Sequence, residues 1–214
     1  KIINDFELGF APSSWDKLFN YLSKVEKFPT NLILSSGLAI SKEDSNKIYD
    51  RFRNRLIVPI KDMQGRVVAF GGRSLDGNEP KYLNSPESEV FEKGKMLFAF
   101  EKASNNIRKN DKAIIVEGYF DVISLHSKGI TNSVASLGTA LNKYQISQLC
   151  RFTDNKNIIL NFDSDNAGIL ATKRVIKEVE SLSLHDQINL KILQLNDLKD
   201  PDEYLNSHSP EDYL

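Results

Sequence analysis

The stretch Asn157-Ile-Ile-Leu-Asn-Phe-Asp-Ser-Asp-Asn-Ala-Gly168 runs from apolar residues through two acids to a glycine, at the head of a helix-like segment of about Ala167 to Leu182. A short Ile-rich run bounded by polar residues predicts a buried strand. Working outward, the same grammar recurs. Ala113-Ile-Ile-Val116 precedes a helical pattern from about Tyr119 to Lys128, and Ser133-Val-Ala-Ser-Leu137 precedes one over Tyr144 to Phe152. Ile188-Asn-Leu-Lys-Ile-Leu193 supplies a fourth run. Strands alternating with helices predict βαβ crossovers and a mostly parallel sheet, an α/β fold.

The acids fall where such a fold builds sites. Glu117 follows the first run, Asp163 and Asp165 the third, and Asp200 and Asp202 the fourth. Ligands of open parallel sheets bind beyond the carboxyl ends of the strands, so three acidic groups are expected to converge there. Residues at i and i+2 of extended backbone point the same way, which aligns Asp163 with Asp165. Pro201 favours an extended Asp200, which would align it with Asp202. Crowded carboxylates raise one another's pKa unless a cation neutralises them, and a hard divalent ion such as Mg²⁺ prefers oxygen donors. Gly118 and Gly168 suit tight strand-to-helix turns. Each motif alone is weak; their combined order points to a metal site.

Upstream, Trp15, Leu18, Phe19, Leu22 and Val25 recur at helical spacing, so Ser14 to Val25 is predicted as a helix with one buried face, capped by Ser13 or Ser14. Lys27 to Ser45 is looser. Arg55 to Ile60 and Arg66 to Gly71 read as a hairpin turning at Lys61-Asp-Met-Gln-Gly65, and Ser74 to Glu89 as a long ordered loop. Phe6, Phe10, Phe19 and Cys150 are assigned to the core. A domain boundary is expected near residue 110, giving an α+β segment 1–110 and an α/β segment 111–214.

The 214 residues are 40% hydrophobic and 27% charged, ordinary for a globular chain, with no run long enough to span a membrane and nothing signal-like near Lys1. The single cysteine excludes an internal disulfide and a cysteine-rich zinc ribbon within these residues. His126, His185 and His208 show no ligand spacing. No Gly-x-x-x-x-Gly-Lys-Ser/Thr loop occurs. Net charge is −1, yet residues 42–112 hold 15 Lys/Arg against 11 Asp/Glu, whereas 113–214 hold 9 against 14. A basic segment followed by an acidic one fits a phosphate-handling face and a cation-binding face. Arg73, after Gly71-Gly72, suits a triphosphate, since a guanidinium binds phosphate oxygens in pairs. Arg51, Arg53 and Arg55 alternate, and on extended backbone would share a face that tracks a single strand. Tyr82 and Asn84 are candidates for stacking on or hydrogen-bonding a base.

Val116-Glu-Gly-Tyr-Phe-Asp121, Ala135-Ser-Leu-Gly-Thr139, Phe162-Asp-Ser-Asp-Asn-Ala-Gly168 and Asp200-Pro-Asp202 together resemble the TOPRIM domain of DnaG-type primases. Gly9-Phe-Ala-Pro12 with Trp15-Asp16, Tyr49-Asp-Arg-Phe-Arg-Asn-Arg55, Phe70-Gly-Gly-Arg73 and Pro80-Lys-Tyr-Leu-Asn-Ser-Pro-Glu87 resemble the family's RNA polymerase subdomain. The resemblance covers nearly the whole chain; Ser164 stands where the family commonly has Gly.

What the resemblance implies is a DNA-directed RNA polymerase that makes short RNA primers on single-stranded DNA by metal-dependent nucleotidyl transfer. Asp163, Asp165 and Asp200 would hold Mg²⁺ or Mn²⁺, supported by Asp202 and Asp121. Glu117 would ligate a metal or accept the hydroxyl proton. Lys81, Lys93 and Lys95 match positions implicated in nucleotide and nucleic-acid contact. Implied partners are the single-stranded DNA template, ribonucleoside triphosphates and the RNA primer, with no membrane. The replicative helicase would bind through a region absent from this chain, and zinc would belong only to an absent domain. The chain is thus expected to be a fragment, its polymerase subdomain truncated before Lys1, acting in the cytoplasm at the replication fork or in an organelle of bacterial descent. Competing readings are another TOPRIM enzyme, a nuclease or topoisomerase piece, and a non-catalytic nucleic-acid-binding module.

Overall fold

The computed structural model describes residues 1–42, 47–182, 187–195 and 201–213. The chain divides into two compact units, Lys1–Ile60 with Val67–Glu92, and Lys61–Arg66 with Lys93–Leu214.

The first unit opens with α1 (Ile2–Asp5) and β1 (Gly9–Ala11), followed by α2 (Lys17–Asn20) and a π-helical turn, Tyr21–Val25. Then come α3 (Thr30–Ser35), β2 (Ala39–Lys42), β3 (Lys47–Asp50), β4 (Arg55–Lys61), β5 (Val67–Ser74) and β6 (Tyr82–Asn84). One sheet has the order β1-β4-β5-β6 and a second pairs β2 with β3. The expected hairpin is β4 and β5, its turn closed by Asp62 N–H donating to the Arg66 carbonyl at 3.0 Å, with Gly65 at φ +79°. Val58 and Ile60 of β4 are fully buried.

Three expectations need correction here. The segment Ser74 to Glu89 contains β6, which pairs antiparallel with β5 in the register Gly71↔Asn84 and Arg73↔Tyr82. Lys27 to Ser45 holds α3 and β2. The helix of Ser14 to Val25 begins only at Lys17 and passes into a π turn, whose i→i+5 bonding puts more residues in each turn and carries side chains off a 3.6-residue stripe. Of its predicted buried face only Phe19 and Leu22 are half-buried; Trp15, Leu18 and Val25 are exposed. Neither Ser13 nor Ser14 caps the helix. Asp50, buried on β3, accepts the N–H groups of Leu18 and Phe19 at 2.8 Å each and supplies the negative charge that a helix N-terminus favours. Phe6 is core as expected, whereas Phe10 lies on the three-residue β1 and is 61% exposed.

In the second unit a 3-10 turn, Lys93–Lys95, leads to α4 (Phe100–Asn110), β7 (Ala113–Val116), α5 (Tyr119–Ser127), β8 (Ser133–Ala135), α6 (Lys143–Cys150) and β9 (Asn157–Leu160). It ends with α7 (Asn166–Glu180), β10 (Asn189–Ile192), α8 (Pro201–Ser207) and α9 (Pro210–Tyr213). All four sheet strands are parallel, in the order β10-β9-β7-β8. Ala113, Ile115, Ile158 and Leu160 pack with Phe100, Ile107, Ile146, Leu149, Cys150 and Val175 in one core, while Ile114, Val116 and Ile159 point the other way and are buried too.

Asparagines and one aspartate bind the strand ends. At the amino ends, the Asp111 carboxylate accepts from Asn155 N–H, Asn155 Nδ2 and Asn157 Nδ2, and Asn189 Nδ2 donates to Asn157 Oδ1 at 2.6 Å. At the carboxyl ends, Asn161 N–H donates to the Ile115 carbonyl at 2.9 Å, and its Nδ2 to the Leu193 carbonyl at 3.2 Å. Among the described residues no helix is long and apolar enough to cross a membrane.

Candidate metal centre

Strand order locates the site. From β7 the chain moves to β8 on one side, then returns to place β9 on the other, so the connections leaving β7 and β9 diverge. The crevice between their carboxyl ends is the switch point at which open α/β sheets bind ligands. Glu117 leaves β7 at this point and Asp163 leaves β9. The two meet: Asp163 N–H donates to Glu117 Oε1 at 3.2 Å.

Gly168, in the first turn of α7, makes the meeting possible. A Cβ built there would lie 2.0 Å from the Asp163 carbonyl oxygen and 2.9 Å from Glu117 Oε1, so no side chain fits. Asp165 is the N-cap of α7, its Oδ1 accepting from Gly168 N–H at 2.9 Å. Across the crevice Asp121, in the first turn of α5, accepts from Gly118 N–H at 2.9 Å. Each acid thus finishes a helix start while remaining near the crevice, in the positive field of a helix N-terminus.

Burial, then the neighbouring charges of Asp163 and Asp165, push the Glu117 pKa up, against the Asp163 N–H bond that lowers it. Desolvation leads, and the two carboxylate charges that add to it are of the kind that a cation would neutralise. Among the described residues no three His, Cys, Asp or Glu side chains form a metal cage. A Mg²⁺-like ion asks for less, one or two carboxylates with water and substrate oxygens completing its shell, so the donor set fits. Asp200 lies outside the described residues. Asp202 falls in the first turn of α8, which Pro201, lacking an N–H and fixed in φ, starts; the expected extended Asp200 before it lies outside the described residues.

The basic residues fall into groups. Arg51, Arg53 and Arg55 line one cavity of about 420 Å³ in the first unit, with Trp15 and Tyr49. They do not share an extended face, since Asn54 sits at φ +49° between the last two. Arg51 Nε and Nη2 donate to the Asn84 carbonyl at 3.1 and 2.9 Å, and Arg55 is buried; burial lowers the pKa of both. Arg53 lies over the Trp15 and Tyr49 rings at 4.6 and 5.2 Å. Asn84 thus meets Arg51 through its main chain. Arg73 and Lys81 flank the half-exposed Tyr82 ring at 6.0 and 5.6 Å. Lys93 and Lys95 belong to the second unit, in a turn whose carbonyls at Lys93 and Gly94 accept from the side chains of Gln145 and Asn142.

The sequence reading places Trp15 on the buried face of a helix; it precedes that helix, and its carbonyl, accepting from Asp50 N–H at 2.6 Å, holds it at the cavity instead. His126 Nε2 lies 3.0 Å from the Ser133 carbonyl and His208 stacks on Tyr204, both structural contacts; His185 is outside the described residues.

Comparison with known proteins matches residues 1–104 to the family described as DNA primase catalytic core, N-terminal domain, and residues 114–205 to the Toprim-like family. A DNA primase of Synechococcus elongatus is 52% identical over 211 residues, 99% of this chain but 30% of the relative's length. The RNA polymerase domain of Mycobacterium tuberculosis primase DnaG superposes with a TM-score of 0.86 at 31% identity, covering 99% of this chain and 69% of that one. A DnaG primase catalytic domain bound to ssDNA superposes with a TM-score of 0.85 at 35% identity, covering 99% of this chain and 65% of that one.

Proposed function

The chain belongs to the DnaG-type bacterial DNA primase family, and from that membership we propose that it carries the polymerising step of RNA primer synthesis on a single-stranded DNA template. The observation that carries the proposal is the junction of Glu117 and Asp163 at the sheet's switch point. On this reading residues 1–110 guide template and nucleotide, and residues 111–214 perform the transfer.

A divalent ion, Mg²⁺ or Mn²⁺, would neutralise charge on the nucleoside triphosphate and on the leaving pyrophosphate. Asp163 and Asp165 would hold it, joined by Asp200 and Asp202 and steadied by Asp121. Glu117 joins them as a ligand or takes the proton of the attacking 3′-hydroxyl. In the first unit Arg73 and Lys81 bind phosphate oxygens and Tyr82 packs against a base; in the second, Lys93 and Lys95 bind phosphate oxygens. Arg53, held over two aromatic rings, meets the template strand, while Arg51 and Arg55 brace the cavity wall, Arg51 through Asn84. A helicase partner and a cytoplasmic place at the fork belong to the same reading.

The test is ribonucleotide addition to a pre-annealed primer with Mg²⁺ or Mn²⁺. The unaltered chain should extend it, and Asp163→Ala should lose at least about a hundredfold in rate while keeping its fold. Extension by Asp163→Ala at saturating metal, or DNA cleavage in place of incorporation, would overturn the assignment.

A further inference from the structure

Beside the acidic crevice, α9 sends Tyr213 into the unit, where it is 1% exposed. Its hydroxyl donates to Asn161 Oδ1 at 2.5 Å. Asn161 is itself 2% exposed and stands two residues before Asp163. Asn161 also donates its N–H to the carbonyl of Ile115 on β7 and its side-chain amide to the carbonyl of Leu193 just past β10. One buried side chain pair therefore joins the ends of β7, β9 and β10 to the last helix. The α8–α9 pair is a unit in its own right, with Tyr204 edge-on to Tyr213 at 6.0 Å, Tyr204 Oη donating to the Asp212 carbonyl at 3.2 Å, and Leu205 buried. Helix α8 also packs on α5, which carries Asp121, and burial, then the Asp121 charge, oppose ionisation of the Tyr213 phenol.

Any buried phenol hydroxyl needs an acceptor; here the acceptor is the side chain two residues before Asp163, just past the strand that leads into the acid loop. We propose that Tyr213 is a positioning residue for the acidic site, fixing through Asn161 the loop that presents Asp163 to Glu117 and so setting the affinity for the divalent ion. The inference rests on the metal-site reading given above. A bond made in the fold before the ion arrives spares the ion the ordering of its own ligands, and the loss of that bond is expected in binding and not in the speed of the loaded site.

The experiment titrates Mg²⁺ and, separately, Mn²⁺ into the whole chain, reading the rise in Tm that selective binding to the folded state produces. Primer extension is measured across the same titration. Tyr213→Phe keeps the ring and removes the hydroxyl. It should raise the half-saturating metal concentration about three- to tenfold in both readouts, with kcat at saturating metal and single-stranded DNA affinity unchanged. Asn161→Ala, which cuts the same link from the other side, should shift both in the same direction. If folded Tyr213→Phe titrates like the unaltered chain, or Asn161→Ala does, Tyr213 is packing alone and the inference is wrong. A kcat loss that excess metal does not restore would also overturn it. Should the unaltered chain show no metal-dependent rise in Tm while Asp163→Ala still extends primers, the metal site itself falls, an outcome distinct from either.

Discussion

Burial, and after it the charges of Asp163 and Asp165, oppose the ionised form of Glu117, and this has a measurable cost. A folded-state pKa raised above that of the unfolded chain means the fold is favoured below the carboxylate range and loses that advantage as pH rises through the folded value. Glu117→Gln should therefore raise the Tm of the metal-free protein at neutral pH by about 2–4 °C, the scale of relieving one unfavourable charge. The gain should vanish when the melt is repeated below the carboxylate range; a gain independent of pH would show that charge is not its source. Gly168 answers to sterics alone. Gly168→Ala drives a methyl into the Asp163 carbonyl, a backbone atom that cannot rotate away, and should cost about 3 kcal/mol or more by denaturant unfolding. The asymmetry between these residues explains their legibility. The acids announce themselves in sequence by type and by position after an apolar run. The partners that place them, Asn161 and Tyr213, are ordinary polar residues whose meaning appears only when residues 52 positions apart come together.

Helix α6 ties a local cap to a remote turn. Asn142 accepts the Tyr144 and Gln145 N–H groups and donates to the Gly94 carbonyl at 2.8 Å, while Gln145, fully buried, donates to Met96 at 2.7 Å. Asn142→Ala should lower stability by about 1–2 kcal/mol, as loss of a helix cap does, and should also raise the KM for nucleoside triphosphate by loosening the Lys93–Lys95 turn. An unchanged KM would separate that turn from substrate binding. The βαβ elements were legible because parallel strands buried on both faces are short apolar runs and their helices are periodic. The first unit was harder to read. Its α2 takes its capping charge from Asp50, on β3, and continues as a π turn, so propensity and period both mislead there. Short strands such as β1 and β6 owe their pairing to neighbours and carry no pattern of their own. Pro201 starts α8, and the extended Asp200 expected before it lies outside the described residues.

At the scale of the molecule, net charge is close to zero, so attraction to DNA depends on local clusters of cations. If three or four phosphates are engaged, log affinity for single-stranded DNA should fall against log salt with a slope of about −2 to −3. Binding insensitive to salt would refute phosphate contact by the basic residues. The central strands pose a separate problem of alignment. Because β7 and β9 are apolar on both sides, sliding one past the other by a single residue would still bury hydrocarbon and would be little opposed by hydrophobicity. The asparagine ties at the two ends act as stops on that slide. One step of slippage would carry Asp163 about 3.3 Å along the strand axis, more than the length of a metal–oxygen bond, and would part it from Glu117. The fidelity of the acid geometry is thus kept by amides that never touch the ion, much as a vernier is kept by its end pins.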